Sequence, residues 1–173
     1  QLQVEAGLLG FGREWRSQGR MGPHGLEPTH FFDKRNRSAP QAAHFQRDKG
    51  QITFSNNRPS AALASGAQDR ISAIMQAASL LAGAANQYPV GSSINLQVAS
   101  VNEAGQWAFR VEGQENIDTN KGALQTIKLN RAPRAHREFD DRLELWLAPD
   151  MGYLPARIKL TQANGDFYDL VLR

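Results

Sequence analysis

The chain contains no cysteine. That excludes disulfides, thiolate nucleophiles and sulfur-ligated zinc or iron–sulfur sites. It suits any compartment, an oxidising periplasm included. No apolar run approaches the roughly 20 residues of a membrane-spanning helix, and no signal peptide is visible. There is no G-x-S-x-G elbow, phosphate loop or dinucleotide fingerprint. "GLLGFG" has the glycines, but "REWRSQG" follows it, with no helix to receive a phosphate. Internal repeats and low-complexity stretches are absent as well.

What is there is globular and somewhat polar. The 173 residues (19.1 kDa) fit a single domain, 1–173, long enough to bury a core. Hydrophobic residues make up 40% and charged ones 21%. The net charge of +3 is mild and reads as a solvated surface with surplus arginine, so no nucleic-acid partner is expected. The chain opens abruptly at "LQVEAGLLG", already strand-like, as a fragment with its leader upstream would.

Periodicity predicts many short strands. Leu2, Val4 and Ala6 alternate with Gln3 and Glu5. Gly7 and Gly10 bracket a tight connection, and "FGREWRSQG" reads as a second strand. "MGPHGLEP" reads as a loop from its Gly and Pro content. "THFFDKR", "QAAHFQRD" and "QITFSN" are three more strand candidates, and "NNRPSAALAS" is a linker. One helix is predicted over about 65–86. Ser65 and Gln68 fit a capping box, Asp69 adds a favourable charge in the first turn, and Asn86 and Pro89 mark the exit. Its apolar stripe is Ile71, Ile74, Met75, Ala78, Leu81 and Ala85. From Ser93 onward "INLQVASV", "QWAFRVEG", "LQTIKLNR", "RLELWLA" and the closing "GYLPARIKLTQANGDFYDLVLR" read as strands. The expected fold is mainly β (α+β): a curved antiparallel sheet, or incomplete barrel, wrapped around one long helix.

The closing ribbon carries a finer expectation. A two-residue Asn164-Gly165 turn would split Ile158 and Leu160 from Tyr168, Leu170 and Leu172 across the sheet. A three-residue loop, Ala163-Asn164-Gly165 with Gly165 left-handed, puts both sets on one side. Burial favours the second register, with Arg157 and Lys159 facing out.

Candidate chemistry is sparse. His24, His30, His44 and His136 include no i, i+4 pair on a helix. His30 and His44 each precede Phe on neighbouring strand candidates, so they could meet, but a stable site wants three or four ligands. They read as sheet residues, and no metal or cofactor is expected. Glu138, Asp140 and Asp141 could form an acid/base pair. Interleaved with Arg137 and Arg142, they read as a solvated charge ladder. Trp107, Trp146, Phe45 and Phe54 could stack on bases, but aromatics at alternating strand positions read first as core.

Four segments, "GLEPTHFFDKR", "AAHFQRDKGQITFS", "GAQDRISAIMQ" and "ELWLAPDMGYLPARIKLTQANGDFYDL", together resemble domain-of-unknown-function family 3108, a Gram-negative family. The last segment is the most specific. The resemblance implies an envelope location facing the periplasm, with membrane association through an anchor or signal upstream. It also implies one or two further strands before "LQVEAG". It supplies no catalytic residues. The implied shape is similar to that of the periplasmic lipoprotein carriers, which is fold analogy and does not fix function.

Two functions are expected ahead of an enzyme, for which no residue pair has the spacing of a named reaction. One is binding of a lipid or other apolar ligand in a groove between helix and sheet. Its candidate lining is Phe45, Phe54, Ile71, Ile74, Met75, Ala78, Trp107, Trp146 and Leu160. The other is a filled structural domain that docks an envelope protein through a sheet edge.

Overall fold

A computed structural model describes residues 12–23, 25–36, 38–135, 137 and 140–172, and the backbone of 2–6. The Gly7–Gly10 connection, all of "GLLGFG" but its last glycine, His24, His136 and Glu138 lie outside the described residues. The chain is mainly β, with its strands in two sheets.

The six-stranded sheet contains β1 (Leu2–Ala6), β2 (Arg13–Gly22), β3 (Gly25–Arg35), β4 (Gln41–Gln46), β5 (Gln51–Phe54) and β6 (Ala61–Ala62), side by side in chain order. The seven-stranded sheet contains β7 (Gln68–Asp69), β8 (Ser93–Ala99), β9 (Ala104–Thr119), β10 (Gly122–Arg131), β11 (Arg142–Ala148), β12 (Leu154–Thr161) and β13 (Phe167–Val171), again as chain neighbours. The expected single antiparallel sheet is thus two. One pairing, β7 with β8, is parallel, because the helical connection between them returns the chain in the same direction.

"GLEP" is strand rather than loop. Gly25–Pro28 pair with Gly19–Gly22 across a bulge between Gln18 and Gly19. At Gly19 a Cβ would lie 2.5 Å from the Glu27 carbonyl oxygen, so glycine is what lets the two backbones close. The linker is also shorter than expected, since Ala61 and Ala62 pair with Ile52 and Gln51.

The one helix among the described residues, α1 (Ser72–Ala84), is 13 residues long and ends in a three-residue 3-10 turn, Ala85–Gln87. It is not the long helix expected from Ser65. Gln68 lies in β7 and spends its amide on the carbonyls of Leu26 and Gly66 at 2.7 and 3.0 Å. The reciprocal box is made four residues later. Asp69 Oδ1 accepts from the Ile71 and Ser72 N–H groups, each at 2.9 Å, and Ser72 Oγ accepts from the Asp69 N–H at 2.8 Å. The buried helical face also differs from the stripe. Ala73, Gln76, Ala77, Ala78 and Leu81 are buried, Ile74 and Met75 are half-buried, and Ala85 is exposed.

Two compact units emerge, Gln1–Gln76 with Leu96–Gln106, and Ala77–Asn95 with Trp107–Arg173. In the first, the period of two along β3, β4 and β5 buries Phe31, Ala43, Phe45, Ile52 and Phe54 together with Ala67, Ile71, Ala99 and Val101. In the second, Val111, Leu129, Leu145 and Ile158 are cross-strand partners in turn, and all but the half-buried Ile158 are buried. A smaller cluster there joins Ile117, Trp146, Ala148 and Ala156, with Leu124 packed against it.

Candidate functional site

The second unit presents an open apolar strand. β13 is the last strand of its sheet among the described residues and pairs with β12 alone. Its register, Leu160 opposite Tyr168 and Ile158 opposite Leu170, requires the three-residue loop. Gly165 sits at φ +91° and donates its N–H to the Gln162 carbonyl at 3.0 Å, while Gln162 donates to Asp166 O at 2.7 Å. Leu172 N–H donates to Ala156 O at 2.8 Å. Antiparallel alternation therefore points the backbone groups of Tyr168, Leu170 and Leu172 toward β12. Those of Phe167, Asp169 and Val171 point to the free edge.

Side chains make this edge unusual. Phe167 is 59% exposed, Leu170 48%, Val171 41% and Leu172 41%. Leu154, at the start of β12, is 48% exposed. Edge strands of soluble proteins are normally blunted by lysine, proline or an inward charge. β13 has no lysine or proline, and its one charge, Asp169, is neutralised by Arg157 through a two-pronged pair at 2.9 and 2.7 Å. The hydrogen bond from Arg157 is the main cause that holds the Asp169 carboxyl below the usual carboxylate range, against burial. The same bond holds the guanidinium above its ordinary value.

Behind the edge the charged side chains are stacked on aromatics. Arg157 lies 4.5 Å and Lys128 5.0 Å from the Trp146 ring centre, and Lys159 lies 4.8 Å from that of Phe167. Glu144, Glu112 and Glu115 surround the Lys128 ammonium at 3.2, 3.5 and 3.6 Å. Burial pulls the Lys128 ammonium down, but the Glu144 hydrogen bond and the three carboxylates raise it overall. This face beside β13 is a network of satisfied charges.

The candidate lining residues divide between the units. Phe45, Phe54 and Ile71 share the core of the first, and Ile74 and Met75 are half-buried in it. Ala78, Trp107, Trp146 and Leu160 are buried in the second, where Trp146 belongs to the small cluster. At Asp140 the carboxylate run is not a solvated ladder. Asp140 is 10% exposed and pairs with Arg131 Nη2 at 2.5 Å and Arg134 Nε at 2.9 Å. Burial opposes ionisation, yet the two arginines hold its carboxyl at about 2. Arg131, itself 2% exposed, also donates to the Asp141 carbonyl and stacks 4.3 Å from the Trp107 ring centre. The charges that the sequence separates by several residues meet at Asp140, beside Arg131 at the end of β10 and Arg134. Nothing in linear spacing shows which carboxylate becomes buried.

His30 and His44 do lie on neighbouring strands, as direct cross-strand partners. Among the described residues no group of three or more metal-ligating side chains is gathered. No described helix is long and apolar enough to cross a membrane.

The model of the family described as "Protein of unknown function (DUF3108)" matches residues 3–172, nearly the whole chain, and the chain belongs to that family. No curated protein and no solved structure matches it.

Proposed function

We propose that this member of the DUF3108 family is a non-enzymatic envelope domain, facing the periplasm, that docks a protein partner by strand addition at β13. The observation that carries the reading is the uncovered strand itself, which has outward backbone groups at Phe167, Asp169 and Val171 and apolar side chains exposed on both of its faces. A partner strand would satisfy the backbone groups and cover the side chains at once. Patches of this kind on a soluble chain mark interaction sites. Burial of Phe45, Phe54, Trp107, Trp146 and Leu160 supports a packed interior over a ligand groove.

The test is photo-crosslinking from position 167 or 171 in the native envelope, with Lys121, on an exposed turn, as the control position. Val171→Pro removes an outward N–H and leaves the bonds to β12 in place. Crosslinks from the edge that disappear in Val171→Pro are the expected result. Crosslinking that is equal at Lys121, or indifferent to the proline, contradicts the reading. Saturable binding of a fluorescent fatty acid that weakens on Ala78→Trp would favour the groove instead.

A further inference from the structure

The outer face of the six-stranded sheet brings two imidazoles together. His30 and His44 are opposite residues of β3 and β4, and their row continues to Gln18 on β2 and Thr53 on β5. The rings stand edge to face with centres 5.1 Å apart. Neither is paired with a carboxylate, so the juxtaposition is not an ion pair.

The hydrogen bonds fix the tautomer of one ring. Thr29 Oγ1 donates its single proton to the Gln18 carbonyl at 3.1 Å. At the 3.1 Å contact between Thr29 Oγ1 and His30 Nδ1 the histidine must therefore be the donor. Nδ1 carries the proton, and Nε2 keeps its lone pair. Phe32, stacked 6.0 Å away and within 7° of parallel, holds the same ring in plane. An oriented imidazole whose far nitrogen donates to a hydroxyl is the arrangement in which proteins present a metal-ligating nitrogen. The His44 side chain makes no hydrogen bond among the described residues.

The spacing suits chelation. With metal–nitrogen bonds of about 2.0–2.1 Å, two imidazoles at angles between the 90° of a tetragonal Cu²⁺ site and the tetrahedral angle place their ring centres roughly 4.5–5 Å apart. We infer that His30 and His44 form a two-histidine site for a late first-row divalent transition ion, with water completing its coordination. Imidazole ligation and the general affinity order rank Cu²⁺ first among such ions. Calcium and magnesium, which require oxygen ligands, are excluded.

The test is calorimetric titration of the full, metal-free chain with Cu²⁺ in a non-chelating buffer. Wild type takes up one ion per chain at this site. His44→Gln and His30→Gln each lower its affinity at least tenfold. Thr29→Val, which removes only the hydroxyl that orients His30, lowers it about tenfold. The His24→Gln/His136→Gln double variant, lacking the other imidazoles, binds as wild type does. Thermal melts of each variant identify any that fail to fold, and Thr29→Val keeps the test decisive if a histidine variant does. Absence of uptake by wild type overturns the site. So does uptake that survives His30→Gln and His44→Gln, or that is lost in the His24/His136 variant alone.

Discussion

Asp140 is the residue whose environment contrasts most with its neighbours in the sequence. Two arginines converge on it, one of them buried, so removing the carboxylate would take from the buried Arg131 charge one of the groups that offset it. Asp140→Ala is expected to destabilise the chain by about 3–5 kcal/mol in chemical denaturation. A loss below about 1 kcal/mol would mean that the pair is solvated. The pH dependence has a definite sign. The folded carboxyl sits at about 2, below its unfolded value near 3.8, so the pair's contribution is fully present above pH ~4 and is lost as pH falls toward 2. Asp140→Asn should flatten stability across that window, which an acid titration followed by tryptophan fluorescence measures. A composition-level reading could not reach this, because "REFDD" offers three carboxylates with equal claims. Only the placement of Asp140 beside Arg131 and Arg134 selects one.

At the scale of elements, the closing hairpin was legible and the helix start was not, for the same physical reason. Loop length at Asn164-Gly165 is decided by which apolar residues share a face, and alternation in the sequence contains that information directly. Gly165 then has to be left-handed, so Gly165→Ala should cost about 1–2 kcal/mol. An unchanged melting temperature would contradict the loop assignment. Helix capping is decided by which side chain is free to turn back. Ser65 with Gln68 satisfies the pattern, but Gln68 donates to the Leu26 carbonyl, 42 positions away in the sequence, and Asp69 with Ser72 makes the box instead. The stripe consequently rotates toward the alanines. Leu81→Ala should therefore cost about 2–5 kcal/mol, whereas Ile74→Ala, at a half-buried position, should cost less than about 2. The reverse order would return Ile74 to the buried face.

On the whole-molecule scale, the mainly β class was readable from alternation, whereas the division into two sheets was not. Alternation specifies faces, and it is silent on which strands become neighbours. The same limit hid the open edge strand. "FYDLV" shows apolar residues on both faces, which in sequence alone is equally the mark of a strand buried from both sides. Its position as the last strand of the sheet is what turns those residues outward. Amide hydrogen exchange on the isolated chain tests this openness most directly. The account predicts alternating protection along β13, slow at Tyr168, Leu170 and Leu172 and fast at Phe167, Asp169 and Val171. Uniform protection across all six would show an edge already covered, and would contradict a strand held open for a partner.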